Sequence, residues 1–256
     1  MRKVRQRYTA AILHADEQLL VIDKPAGVTS VSGRADEPNL SDLLRAQRLV
    51  PHDEPFRVVH RLDRDASGVI VFARTLAAQQ HLTAQFAERR VEKTYLALVQ
   101  GYVETDGEID LPLRVDQAGT RAIVATRHGK PAVTGYRVLE RLPGNTLLEC
   151  RPLTGRFHQL RAHLAALGHP LTVDPLYGGG RALLLSAYKA HYKLGRDAEE
   201  RPLMDRLTLH AARLTLEHPA GTGAMTFEAP LPKDFRAALH QLRRLAQGRA
   251  NGAALV

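Results

Sequence analysis

Short apolar, β-branched runs broken by turn residues set the rhythm of the chain. Residues 10–13 and 19–22 read as strands either side of the turn Asp16-Glu17-Gln18, and 56–59 reads as a third. The run Val69-Ile70-Val71-Phe72-Ala73 is apolar without interruption, which predicts a strand buried on both faces. Further strands are expected at 95–99, 133–139, 146–151, 209–216 and 225–229, with hairpins in the turn-rich stretch 101–132. Helical spacing appears in four places. Residues 40–48 follow a capping Asn39, and 75–90 follow Thr75 with Ala78, Leu82 and Phe86 on one face. The turn Thr154-Gly155 leads into a helix bearing Phe157, Leu160, Leu164 and Leu167, closed by Gly168 and Pro170. Residues 234–247 form the fourth. Many short strands with few helices between them predict an α+β fold on a largely antiparallel sheet with flanking helices.

Two stretches carry candidate chemistry. The first is His60-Arg61-Leu62-Asp63-Arg64-Asp65-Ala66-Ser67-Gly68, between two predicted strands. By composition it is a turn. Its position puts Asp63 at the rim of a rigid sheet, where a carboxylate can meet a ligand and a cation. Asp65, two residues on, should point to the other side. The second is the helix after Thr154. Arg161 sits about 40° from Phe157 around the helix wheel, so it flanks the buried stripe. It either lays its stem on the core and snorkels, or meets a carboxylate through its planar fork. His158 and His163 are five residues apart, on different helix faces and far in sequence from the single Cys150, so no metal site is read there.

The string His-Arg-Leu-Asp-x-x-x-Ser-Gly-Val at 60–69 resembles the catalytic motif of the RluA-type RNA pseudouridine synthases. So do Asp23-Lys24-Pro25-Ala26-Gly27, Glu92-Lys93-Thr94-Tyr95-Leu96-Ala97, the run from Leu153 to Leu164, Asp174-Pro175-Leu176-Tyr177-Gly178 and Leu209-His210-Ala211. They fall in the family's order between about residues 10 and 233. One departure is local: Ala66 stands where the family usually has threonine. The resemblance implies a mixed, mostly antiparallel sheet with a central RNA-binding cleft, and isomerisation of uridine to pseudouridine within RNA. The bond from ribose to the base nitrogen breaks, the uracil turns, and a base carbon rejoins the sugar, with no cofactor. It implies Asp63 as the catalytic carboxylate, which attacks the sugar or removes a proton from it, and Arg161 as its partner. Arg61 would fill the space of the flipped uridine and Tyr95 would pack on the base. His60, Arg156, His158 and Gln159 would lie near the RNA. The implied organisation is a basic arm at 1–9, a catalytic domain at 10–247 with an insertion at 178–206, and a flexible tail at 248–256. The family's frequent N-terminal S4-type module is expected to be absent.

Charge agrees with an RNA partner. The formal charge is +9, which favours a polyanion over a small neutral substrate. The insertion interleaves Tyr188, Lys189, Tyr192 and Lys193, a composition that suits single-stranded RNA and equally a solvated surface loop. One cysteine excludes an internal disulfide and fits a reducing cytoplasm. No apolar run reaches membrane-span length, so no membrane partner is expected. Ribosomal or transfer RNA is the expected partner of a monomer. The alternative is a catalytically inactive RNA-binding module of the same fold. A nucleoside hydrolase fits the charge poorly, and no recognition-helix pattern supports DNA reading.

Overall fold

The computed structural model describes residues 8–30, 38–189, 192–193 and 199–253, with side chains to residue 247. The basic arm, with Arg2, Lys3, Arg5 and Arg7, lies outside the described residues, as do 190–191 and 194–198 of the insertion. In chain order the elements are β1 (Ala11–Ala15), β2 (Leu19–Lys24), α1 (Leu40–Ala46), β3 (Arg57–Val58), β4 (Ser67–Ala73), α2 (Leu76–Ala87), β5 (Glu92–Gln100), β6 (Gly107–Asp110), β7 (Leu113–Val115), β8 (Ala122–Val124), β9 (Val133–Leu142), β10 (Asn145–Pro152), α3 (Gln159–Ala166), β11 (Leu209–Glu217), β12 (Ala224–Glu228) and α4 (Lys233–Ala253). The chain divides into two compact units: Met1–Tyr95 with His210–Pro230, and Leu96–Leu209 with Leu231–Val256.

In the first unit the strand order is β1-β2-β4-β11, with β3 also on β4 and β12 on β11. Strand β4 pairs antiparallel with β2 and β3 and parallel with β11. All seven residues of β4 are buried, as its apolar run predicts. Alternation then splits them between two cores. Val69, Val71 and Ala73 pack with Leu19, Val21 and with Ala78 and Leu82 of α2. Ile70 and Phe72 pack with Leu20, Ile22, Leu62 and with Leu40, Leu43 and Leu44 of α1. Burying each large apolar side chain contributes roughly 1.5–3 kcal/mol, which makes β4 a stiff base for the loop before it. The predicted caps form: Asn39 accepts the Asp42 N–H at 2.9 Å and Thr75 accepts the Ala78 N–H at 3.1 Å. Helix α2 stops before Arg90, because Arg89 takes a left-handed φ of 61°.

In the second unit the order is β5-β10-β9-β6, and β7–β8 forms a separate hairpin. Strand β6 pairs with β9 rather than with β7. Its core joins Leu98, Leu147 and Val173 to Phe235, Leu239 and Leu242 of α4. That helix continues to Ala253, past its expected end at 247. The described parts of the 178–206 stretch are anchored in this core. Leu183 and Met204 bridge each other and are buried, and Tyr188 packs against the same cluster. The whole is the expected α+β fold with a mixed, mostly antiparallel sheet.

Candidate active site

The loop between β3 and β4 carries Asp63, which is half-buried. Its backbone is pinned from several sides. Ser30 Oγ donates to the Leu62 carbonyl and accepts the Leu62 N–H, both at 3.0 Å. Lys24 is wholly buried, and its ammonium donates to the carbonyls of Pro25, Val28 and Arg64 at 3.0, 2.8 and 2.9 Å. The Gly27 N–H also donates to the Arg64 carbonyl, at 2.8 Å. Thus the Asp23-Lys24-Pro25-Ala26-Gly27 stretch is a cradle for the Asp63 loop. A buried ammonium is tolerable only when its donors find acceptors, and three carbonyls supply them.

The far end of the loop is pinned to β11. Ser67 Oγ lies 3.0 Å from His210 Nδ1, and both residues are buried. Gly68 has φ 114°, and a Cβ there would come within 2.1 Å of the Ala211 carbonyl oxygen. Only glycine allows that approach. Ala66 is buried and its N–H donates to the Asp63 carbonyl at 3.2 Å, so the missing hydroxyl leaves the turn intact. Asp65 pairs with Arg64 at 3.3 Å, at the surface.

Three side chains surround this loop. His60 Nε2 accepts the Val71 N–H at 3.0 Å and its ring stacks on Phe86 at 4.7 Å. Burial, with the Lys93 cation adding to it, pushes His60 down to about 3, so it is neutral with its proton on Nδ1. Tyr95 is half-buried against the cluster containing Leu62 and Ala211. Its phenol is pushed up by burial and then by the Asp63 carboxylate, so it stays protonated. Lys93, two residues earlier on β5, faces the same side of the strand as Tyr95. Burial draws its ammonium down to about 8. The sequence reading quoted Lys93 within a motif without giving it a role, although strand alternation with Tyr95 was there to be read. Arg61 is exposed.

In the second unit Arg161 is 7% exposed, more buried than a snorkelling arginine. Its fork goes to Asp174: Nε to Oδ2 at 2.7 Å and Nη2 to Oδ1 at 2.8 Å. Nη1 lies 3.0 Å from His158 Nε2, and the guanidinium sits 4.9 Å from the centre of the Tyr177 ring. The sequence reading quoted Asp174 and Tyr177 as motif residues without giving either a role. His158 caps α3 with a left-handed φ of 49°, which moves the helix start later than the Thr154-Gly155 turn suggested. Gln159 is 4% exposed and spends its amide internally. Its oxygen accepts from Thr154 Oγ1 and the Arg156 N–H, and its nitrogen donates to the Val133 carbonyl and Thr134 Oγ1. Arg156 Nε donates to the Pro131 carbonyl at 3.0 Å. His163 is buried between Thr134 Oγ1 and the Leu111 carbonyl.

The family model described as RNA pseudouridylate synthase matches residues 18–166, more than half of the chain. The chain belongs to that family. It is 41% identical over 222 residues to the Escherichia coli (strain K12) dual-specificity RNA pseudouridine synthase RluA, covering 86% of this chain and 92% of that one. It is 39% identical over 236 residues to the ribosomal large subunit pseudouridine synthase D of Nitrosomonas europaea, covering 91% of this chain. The match spans 65% of that relative's length. Among solved structures, human RNA pseudouridylate synthase domain containing 4 superposes with a TM-score of 0.67 at 28% identity, covering 94% of this chain and 95% of that one. Among the described residues no helix is long and apolar enough to cross a membrane.

Proposed function

We propose that the protein isomerises one or more uridines of a structured ribosomal or transfer RNA to pseudouridine, with Asp63 as the essential carboxylate. The observation that carries this reading is the half-buried Asp63 on a loop pinned at Leu62, Arg64 and Ser67, beside a neutral Tyr95. In the reaction the bond from ribose C1′ to N1 breaks, the uracil turns, and C5 bonds to C1′. The proton on C5 leaves and N1 gains one, so nothing is oxidised or lost. A fixed carboxylate can stabilise, attack or deprotonate the electron-poor sugar. The raised phenol makes Tyr95 a weak base in its resting state and favours a packing role against the base. Arg61, which is exposed, would enter the duplex as the uridine flips out, which is how enzymes reach a stacked base.

Arg161 is the proposed counter-ion of Asp63. Gln159, with its amide saturated, is assigned to holding the 154–158 turn rather than to RNA. The same saturation leaves His163 outside the chemistry. Partner and compartment follow the same reading: an RNA substrate, no membrane, no metal or cofactor, a monomer in the cytoplasm. The test is a pseudouridine map of total RNA from cells with and without the protein. Sites present in one and missing in the other support the reading and identify the substrate. Identical maps would remove it.

A further inference from the structure

Arg161 is fixed by a single turn, and the polarity of that arrangement can be worked out from donors and acceptors alone. An arginine cannot accept a hydrogen bond. The 3.0 Å contact from Nη1 therefore makes His158 Nε2 the acceptor. A neutral imidazole with Nε2 bare carries its proton on Nδ1. That N–H donates to Tyr177 Oη at 3.2 Å, and the same oxygen accepts the Ala122 N–H at 2.7 Å. The chain of bonds thus runs from Arg161 through His158 to Tyr177, and Tyr177 is also where hairpin β7–β8 is tied in.

Tyr177 and Asp174 belong to one turn. The Asp174 carbonyl accepts the N–H groups of Tyr177 at 3.1 Å and Gly179 at 2.8 Å, while Oδ1 accepts the Leu176 N–H at 3.2 Å. A Cβ on Gly179 would lie 2.1 Å from the Leu171 carbonyl oxygen and 2.6 Å from the Asp174 nitrogen, so the turn closes this tightly only with glycine. The four-residue segment Asp174–Tyr177 therefore delivers a carboxylate to one edge of the guanidinium, an aromatic face beneath it, and the partner that sets the tautomer of His158. His158 holds a left-handed backbone at φ 49° and stacks on Phe157 at 3.8 Å. A non-glycine residue keeps such a conformation when its surroundings over-determine it.

We propose that Asp174 and Tyr177 are positioning residues for the reaction, acting through Arg161. Asp174 fixes the direction of the guanidinium, and Tyr177 fixes its rotation by way of His158. The proposal rests on the reading above, in which Arg161 meets Asp63. Its consequence is that a residue remote from the reacting atoms controls the chemical step more than RNA binding.

The experiment compares the parent protein with Tyr177→Phe and Asp174→Asn, using total RNA from cells lacking the protein. It reads the single-turnover conversion rate, the Kd for that RNA and the exchange rate of the Arg161 Nε–H, identified by its loss in Arg161→Lys. Tyr177→Phe keeps the ring under the guanidinium and removes only the hydroxyl. It is expected to slow conversion about tenfold with Kd within twofold, and Asp174→Asn to slow it about a hundredfold. The Nε–H should exchange slowly in the parent and faster in both variants. If Asp174→Asn does not fold, Tyr177→Phe decides alone. Unchanged conversion and unchanged Nε–H exchange in Tyr177→Phe overturn the proposal. A parent protein that converts no uridine, with slow exchange that both variants lose, overturns the functional reading and leaves the positioning of Arg161 supported.

Discussion

Asp63 and Arg161 are held in opposite ways. The Asp63 loop is fixed through its main chain: Lys24, Ser30 and Gly27 grip the backbone of Leu62 and Arg64. Arg161 is fixed through its side chain, by the Asp174 fork, His158 and Tyr177. The difference bears on what each residue can tolerate. A side chain whose loop is supported elsewhere can be exchanged with little effect on folding. A side chain that is itself part of a buried charged network cannot, because its removal leaves a partner charge without compensation. On the proposed reading, reactivity and stability are thus separable at Asp63 and entangled at Arg161.

The comparison breaks first at Lys24. Lys24→Met keeps the volume and removes three charge-assisted hydrogen bonds to carbonyls. A loss of about 4 kcal/mol is expected, each such bond contributing roughly 1.5–3 kcal/mol and the relief of a buried charge offsetting part. Urea unfolding measures it, and a loss under about 1 kcal/mol would mean the cradle does not hold the loop. Next comes Arg161→Lys, which keeps the charge and loses the fork. About 2 kcal/mol of stability should go with it. An unchanged urea midpoint would contradict the importance given to the Asp174 pairing.

A smaller effect concerns pH. His60 is neutral in the fold, with its pKa down at about 3 through burial and Lys93, against an ordinary 6.5. Below pH 6.5 the unfolded chain takes up a proton that the folded chain does not. This contribution to stability is therefore complete above 6.5 and declines as pH falls toward about 3. Asp23 works the other way, since burial raises its carboxyl to about 6 despite Lys24, and its contribution improves on acidification through that range. The difference between parent and His60→Gln isolates the histidine, because glutamine can still accept the Val71 N–H. The parent should lose more stability than His60→Gln between pH 7.5 and 5. Equal losses would mean that His60 takes up its proton as readily in the fold as in the unfolded chain.

Most of the first unit was legible because its signals are local. The apolar run of β4 declared a doubly buried strand, and Asn39 and Thr75 cap the helices they were expected to cap. What escaped depends on contacts far apart in sequence. Lysine is ordinarily a surface residue, so nothing in Lys24-Pro25 announces an ammonium wholly buried under a loop 40 residues away. Asp174 gave no sign of taking the fork of Arg161, and Gln159 looked like a cleft residue until its four internal bonds were visible. The late start of α3 has the same origin: Gln159 folds back on the Arg156 N–H and keeps 154–158 as a turn. Strand β6 pairs with β9 rather than with the next strand β7, a choice that alternation alone cannot make.

Asp63→Asn has the smallest expected effect on the fold, within about 0.5 kcal/mol of the parent, because its loop is held by other residues. It has the largest on the chemistry, because an amide can neither attack the sugar nor deprotonate it. The decisive measurement is single-turnover conversion of uridine in a mapped RNA substrate, run beside RNA binding and urea unfolding, with Asp65→Asn as the control for charge in the same loop. Asp63→Asn is expected to fold and bind RNA like the parent while conversion falls by at least about four orders of magnitude, roughly 5.5 kcal/mol of barrier. Asp65→Asn should stay near the parent rate. Conversion by Asp63→Asn within tenfold of the parent would contradict the assignment of Asp63 as the essential carboxylate.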